Sequence, residues 1–486
     1  MAENALTYSS ANAPGVSGTR TRMKNQGSAA SGILHTEPSE IKKLLKEGDV
    51  SVAVIGIGRI GLPTAALFAD AGARVVGIDV RESIVDETNR GKCGLVDEPG
   101  LPEIVKRNVK AGRLTATTDA ARAVKSSQFV IVCVPTPVDQ TKSPDYSAIR
   151  AASKTLGRSI SKGTVVIVES TVGPGIVEEM VRPIIEQESG MKGGLDFGLA
   201  SCPERSDPGN IVVNMKSVPR IVGSLDPGCT ELVSELYSAG LGVDVIRVSS
   251  PKTANAVKLT ENLFRDVNIA LANEFALLFE NFGIDTIEVI NACATKYNFM
   301  PHYPGAGVGG PCLPVNSYYL IVEGMKTGNI PYLIRLAREI NDRMPDHVVE
   351  LTSEALNDVG KTIKGSKIAI MGVTYKPGVR DVQLSPLERV TNRLVEMGAT
   401  VQIYDPMLLG QSVFGLNTQS SLESAAKGAD AIIIGTAHKE FENLDLPKLS
   451  RLVRKKAALV DSRNVVRPTD ATTAGFSYRG VGRRLS

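Results

Sequence analysis

The 486-residue chain is too long for one hydrophobic core, since single cores stop growing near ~250–300 residues, so two or three domains are expected. Its 55 Lys and Arg barely outnumber 52 Asp and Glu, no basic run is interleaved with aromatics, and no apolar run approaches the ~20 residues of a membrane span. Nucleic-acid binding and membrane insertion are therefore not expected, and six scattered cysteines without CxxC, beside four unclustered histidines, speak against a metal site or a disulfide framework and for the cytoplasm.

Residues 1 to about 38 are rich in Ser, Ala, Gly and Thr without a hydrophobic period, which predicts a flexible tail, with the folded part beginning near Ile41. From there "VAVIGIG" (52–58), "RVVGID" (74–79), "FVIVCV" (129–134), "TVVIVES" (164–170), "FGLASC" (197–202) and "VDVIRV" (243–248) alternate with helical stretches. That alternation predicts a parallel sheet covered on both faces over residues 39–250. Between Lys252 and Phe282 there is neither Gly nor Pro, and Ala256, Leu263, Val267, Ala270, Leu271 and Leu278 recur near helical spacing. A helix of that span is roughly 45 Å long at about 1.5 Å per residue. Helical stretches fill a central region, 251–360, and "KIAIMGVTY" (367–375), "TVQIYDP" (400–406), "AIIIGT" (431–436) and "ALVDSRN" (458–464) predict a second doubly wound sheet in 361–486. The expected class is α/β: two Rossmann-like doubly wound domains joined by a helical region with a long central helix.

"VAVIGIGRIGLP" places Gly56, Gly58 and Gly61 between a strand and a helix, with Arg59 and Ile60 in the same turn and Asp79 ending the next strand. The first glycine makes the tight turn, the second lets a pyrophosphate approach the backbone, and the third packs helix on strand. Asp79 would accept hydrogen bonds from the adenosine ribose and repel the extra phosphate of NADP, so the reading is NAD, with Arg81 close enough to leave NADP open.

Ligands of such sheets bind beyond the carboxyl ends of the strands. Thr136 follows the third strand-like run, Ser170 and Thr171 the fourth, and Glu204 the fifth; singly these are turn and cap residues, together they mark a crevice. Lys258 and Asn262, four apart on the long helix, share one face, as do Glu261 and Arg265, whose pairing would mark a solvated face. Cys312, in "GVGGPCLPVN", has Gly309, Gly310 and Pro311 before it to leave the backbone uncrowded, and Asn316 after it to cap a helix "SYYLIVEGM". A thiol near a helix N-terminus has its thiolate stabilised, the condition for a nucleophile.

With "CVPTP", "STVGPG", "CPERSDPGN", "KLTENLFRDVNIALANEFA", "PGAGVGGPCLPV", "GVTYKP" and "YRGVGR" added to the glycine motif, the chain resembles the UDP-glucose/GDP-mannose dehydrogenase family over nearly all of residues 50 to 484. The resemblance implies NAD on the first sheet, a UDP-sugar on the second, a homodimer built on the long helix, and two NAD reduced per sugar oxidised at C6. It implies Cys312 as thioester nucleophile, Lys258 and Asn262 as the oxyanion pair, Glu204 as the carboxylate of thioester hydrolysis, and Thr136 near the catalytic water. Glu204, Arg205, Lys258, Asn262, Gly309, Tyr375, Lys376 and Arg380 stand at substrate-binding positions, and Thr136 and Thr171 at cofactor-binding ones. The "CPER" wording and Val315 resemble the N-acetylhexosamine branch, which implies UDP-N-acetylmannosamine, with UDP-glucose or UDP-N-acetylglucosamine as alternatives. Two departures stand at sites of chemistry: Asn316 replaces the family's usual aspartate, and Gln383 a usual arginine that Arg380 would replace. They carry a second reading from another class, a catalytically weakened nucleotide-sugar binder.

Overall fold

The computed structural model describes residues 32–483. Of the tail expected over 1–38, residues 1–31 lie outside the described residues, and the remainder packs: Ile33 is buried and the Leu34 amide donates to the Gly163 carbonyl at 3.0 Å. The folded part thus begins earlier than Ile41, because this apolar pair finds a place against the first sheet.

That sheet has eight strands: β1 (Ser51–Ile55), β2 (Arg74–Ile78), β3 (Leu114–Thr117), β4 (Phe129–Val132), β5 (Val165–Val168), β6 (Gly198–Ser201), β7 (Arg220–Ser224) and β8 (Val245–Arg247), in the order β3-β2-β1-β4-β5-β6-β7-β8. Each expected run holds one strand; β3 and β7, "LTAT" and "RIVGS", were not among them and are too short to show a clear pattern. Val52, Val54, Ile131 and Ile167 pack on one face with Phe68 and Leu236, and Ala53, Val130, Val132 and Val166 on the other with Leu156 and Ile185. This is the two-residue alternation of strands covered on both faces.

Pairing is parallel from β3 through β6. β7 pairs with β6 antiparallel, Ala200 opposite Ser224 and Ser201 opposite Gly223, and β8 follows β7 in parallel. The expected parallel sheet is therefore parallel only in its larger part. The reversal brings the beginning of β7 to the end of the sheet where β5 and β6 finish.

The second sheet contains β9 (Lys367–Met371), β10 (Thr400–Tyr404), then, beyond the small hairpin β11 (Ser412–Val413) and β12 (Leu416–Asn417), β13 (Ala431–Ile434), β14 (Ala458–Asp461) and β15 (Ser477–Gly480). Its order is β10-β9-β13-β14-β15, parallel throughout. Met344, Val348 and Leu351 of the helix Tyr332–Asp358 cover one face over Ile370, Ile403, Ile433 and Val460.

Between the sheets in sequence runs the long helix, Pro251–Glu280, started by Pro251 in the first turn and by Ser250, whose hydroxyl accepts from the Thr253 amide at 3.1 Å. Its buried stripe is unusually polar: Asn255, Lys258, Asn262, Asp266, Asn273 and Glu280 lie inward with Leu259 and Leu263. Leu271 and Leu278, two of the residues that recur near helical spacing, are exposed together with Phe264. The core side is occupied by hydrogen-bonded amides and charges, so these three apolar side chains, seven residues apart, form an uncovered row on the outer side.

Candidate active site

The glycine turn has the geometry its spacing predicts. Gly56 adopts φ +85°, and its amide donates to the Ile78 carbonyl at 2.7 Å, tying the turn to β2. A Cβ on Gly61 would lie 1.8 Å from the Gly56 carbonyl oxygen, whereas one on Gly58 would meet no protein atom within 4 Å. The space at Gly58 and the helix Gly61–Asp70 starting behind it suit a pyrophosphate. Asp79 follows β2, where a ribose would hang, and its Oδ1 already accepts from the Arg81 amide at 3.0 Å and from Arg81 Nε at 3.1 Å. Arg81 is thereby drawn to the acid. Arg59 is turned outward from the phosphate space, its Nη1 donating to Asp97 and to the fully buried Glu98, each at 3.1 Å, while the Ile60 carbonyl serves the helix by accepting from Thr64.

Cys312 immediately precedes the helix Leu313–Lys326. That helix starts earlier than expected, so Asn316 lies inside its first turns and caps nothing. The glycines before the thiol have a different cause from the one expected. A Cβ on Gly309 would meet the Leu384 carbonyl at 2.8 Å, and one on Gly310, at φ +89°, would sit 2.7 Å from the Tyr375 ring. The loop is crowded, not open: Tyr375 lies on it, and the Gly310 amide donates to the Gln383 carbonyl at 3.0 Å. The segment after β9 of the second sheet thus positions the cysteine. The residue is exposed yet closely surrounded by protein, and this loss of water pushes the thiol above its ordinary pKa while the Lys258 charge pulls it down.

Lys258 and Asn262 are both buried on the inner face of the long helix, so the solvated-helix alternative does not hold for them. Glu261 does not pair with Arg265; it pairs with Arg205, whose Nε donates to it at 3.1 Å. Burial lowers the Lys258 pKa, against the opposing charges of Cys312 and Glu204. Asn262 donates through Nδ2 to Asn316 Oδ1 at 2.6 Å, which joins the two helices beside the thiol. Thr136 donates to the Thr171 carbonyl at 2.7 Å, and the Tyr319 hydroxyl, one helix turn and more past Cys312, donates to the Thr136 carbonyl. Ser170 serves its turn, donating to the Val134 carbonyl at 2.8 Å.

Glu204 is buried, with three donors on one carboxylate oxygen and one on the other. Its Oε1 accepts from the amides of Arg205 and Ser206, both at 2.7 Å, and from the Ser206 hydroxyl at 2.5 Å; its Oε2 accepts from Arg220. Burial opposes the charge, but Arg220, the Ser206 hydroxyl and Lys258 hold the carboxyl below its ordinary pKa. Arg220 also donates to Glu169 Oε1 and to the Cys202 carbonyl, at 3.0 and 3.1 Å. Sequence reasoning missed Arg220 and Glu169; the charged residue inside the buried run "VPRIVGS" was the available signal.

The remaining positions divide by partner. Arg205 is a staple between Glu261 and the Pro219 carbonyl. Lys376 reaches from the loop after β9 to Asp207 and to the Pro208 carbonyl, 2.9 Å away. Tyr375 has a buried hydroxyl without a hydrogen-bond partner. The Arg380 amide donates to Asp97 at 3.2 Å. Among the described residues there is no group of three or more His, Cys, Asp and Glu able to hold a metal, and no helix long and apolar enough to cross a membrane.

An open sheet with a dinucleotide turn beyond its strand ends, joined by its loops to a second such sheet at an accessible thiol, defines the nucleotide-linked dehydrogenase class. The chain belongs to the UDP-glucose/GDP-mannose dehydrogenase family: the family's NAD binding domain matches residues 50–240, its central domain 252–343 and its UDP binding domain 369–468. It is an NAD-dependent nucleotide-sugar dehydrogenase. It is 37% identical over 432 residues to the UDP-N-acetyl-D-mannosamine dehydrogenase of Pyrococcus horikoshii, covering 89% of this chain and 99% of that one. It is 34% identical to a UDP-N-acetyl-D-glucosamine 6-dehydrogenase of Pseudomonas aeruginosa, over 85% and 96% of the two chains. The solved structure of a UDP-D-ManNAc dehydrogenase from Pyrococcus horikoshii superposes with a TM-score of 0.83 at 36% identity, covering 89% of this chain and 99% of the other.

Proposed function

We propose that the chain oxidises a UDP-N-acetylhexosamine, UDP-N-acetylmannosamine first, at C6 to the uronic acid through a thioester on Cys312. The observation that carries this reading is the meeting of an exposed thiol at a helix start with the buried Lys258 and Glu204, whose charges act on one another. The substrate preference rests on the relatives, and the UDP-N-acetylglucosamine enzyme among them keeps that sugar, and UDP-glucose with it, as the alternative.

NAD would be held by the Gly56–Gly61 turn, Asp79, Thr136 and Thr171, and would supply the acceptor for the two hydrides leaving C6. The chain's residues do the rest. Once the C6 alcohol has given up a hydride and its hydroxyl proton has passed to solvent, the Cys312 thiol loses its proton to solvent, its sulfur adds to C6 of the aldehyde and the carbonyl oxygen gains the negative charge. Lys258 donates a hydrogen bond to that oxygen, and Asn262 offers its second N–H, the first being held by Asn316. Loss of the second hydride leaves the thioester. Water then attacks C6, Glu204 accepts its proton, the C–S bond breaks, and the thiol regains a proton as the carboxylate departs. Tyr375, with its unpaired hydroxyl, and Lys376 and Arg380 line the uridine diphosphate side of the crevice. The row Phe264, Leu271 and Leu278 supports a homodimer, with work in the cytoplasm, where NAD is plentiful.

The test counts NADH formed per UDP-N-acetylmannosamine consumed, with UDP-N-acetylglucosamine and UDP-glucose beside it. Two per sugar for the native chain and at most one for Cys312→Ala establish the thioester route and rank the substrates. One per sugar in both, or none with any sugar, refutes it.

A further inference from the structure

The reversed strand β7 makes a buried charge chain that the thioester route has not used. Arg220 is its first residue, and continuing the β6–β7 register beyond the paired residues sets Glu204 opposite Arg220. Glu169, immediately past β5, lies on the other side of the guanidinium. Four donors converge on Glu169: Arg220 at 3.0 Å and the Tyr237 hydroxyl at 2.7 Å on Oε1, the Thr64 hydroxyl at 3.0 Å and the Cys133 thiol at 3.1 Å on Oε2. Burial pushes the Glu169 carboxyl above its ordinary pKa, while Arg220 and the Tyr237 and Cys133 donors pull it down. One guanidinium is thus shared by two carboxylates in a place where Arg220 is 1% exposed.

We propose that Arg220 is a positioning residue for thioester hydrolysis: its fork fixes the Glu204 carboxylate in one orientation and keeps it ionised, while Glu169 competes for the same guanidinium and limits how far that goes. The inference rests on Glu204 as the base of that step. The charged and titratable groups around Glu204 are Arg220 from β7, Glu169 just past β5, Lys258 from the long helix, and the thiols of Cys133 and Cys202. Two of these groups carry positive charge, and of the two only Arg220 donates to Glu204 directly. A base must be ionised to act, so hydrolysis fails as pH falls through the pKa of Glu204; a weaker partner moves that limit up, and a weaker competitor moves it down.

The experiment follows the intact-protein mass of the Cys312 adduct through a single turnover with UDP-N-acetylmannosamine and NAD, and records its decay rate against pH. Lysine at 220 keeps the charge but loses the planar fork whose two nitrogens reach the two carboxylates. In Arg220→Lys the acid limit of decay moves up by about one pH unit. In Glu169→Gln, whose amide can donate to the Thr64 hydroxyl and the Cys133 sulfur, it moves down. A residue that merely supports the fold would slow decay without moving the limit in opposite directions. Limits that coincide with the native one overturn the assignment of Arg220 alone; if Arg220→Lys does not fold, Glu169→Gln decides in the same way. A native chain that forms no adduct overturns the thioester reading, and this inference with it.

Discussion

Gly58 and Gly61 stand three residues apart in one motif, yet the structure assigns their missing side chains to different tasks, and alanine at each position separates them. At Gly61 the new Cβ would lie 1.8 Å from a backbone oxygen of Gly56, so turn and helix must part by at least 1.2 Å to reach a 3.0 Å contact. Overpacking of this kind costs ~1–3 kcal/mol, and a shift of about 1 Å in groups that must converge on a ligand costs up to ~10²-fold. Gly61→Ala should therefore lower Tm by several degrees, at roughly 2–4 °C per kcal/mol for a domain of this size, and weaken NAD roughly 10- to 100-fold. At Gly58 the methyl meets no protein atom, and its backbone is not left-handed. Gly58→Ala should leave Tm unchanged or slightly raised while weakening NAD at least roughly tenfold, because the methyl enters the pyrophosphate's space. Calorimetry measures both quantities; the chain has no tryptophan whose quenching would report binding. Native NAD affinity in Gly58→Ala, or native Tm in Gly61→Ala, refutes the reasoning.

Three further outcomes follow from the site. Asn316→Asp keeps the acceptor for Asn262 and adds a charge that can take a proton, so the steady-state rate should rise severalfold; an unchanged or lower rate removes Asn316 as the brake on turnover. Because crowding holds the Cys312 thiol above its ordinary pKa and Lys258 opposes this, iodoacetamide should label Cys312 more slowly than a free thiol at pH 7, faster with rising pH, and more slowly again in Lys258→Met; equal rates in the two proteins contradict the coupling. If the proposed homodimer is built on the exposed row of the long helix, Leu271→Asp should halve the mass seen by light scattering, and an unchanged mass removes that row as its interface.

What the chain shows locally, it shows plainly. The glycine turn, the β-branched runs and the unbroken Lys252–Phe282 stretch all depend on neighbours within a few residues, and each forms where its pattern lies. What failed depends on distant partners. Gly309 and Gly310 read as slack around a nucleophile until Tyr375, from the other sheet, is placed on them. Arg220 is the clearest case, because its partners Glu169 and Glu204 are adjacent only after β7 enters the sheet backwards, and a short strand carries no mark of its direction.

That reversed strand also changes what protects the chemistry. The alignment of Arg220 with Glu204 is held by the main-chain ladder in which Ala200 faces Ser224 and Ser201 faces Gly223. A slip of one residue would turn every side chain of β7 to the opposite face, presenting Ile221 where the guanidinium stands. Substitutions along β7 that leave every site residue intact can therefore silence the enzyme by altering which peptide group meets which, so this five-residue strand works as a gauge that sets the spacing of charges it does not itself carry beyond its first residue.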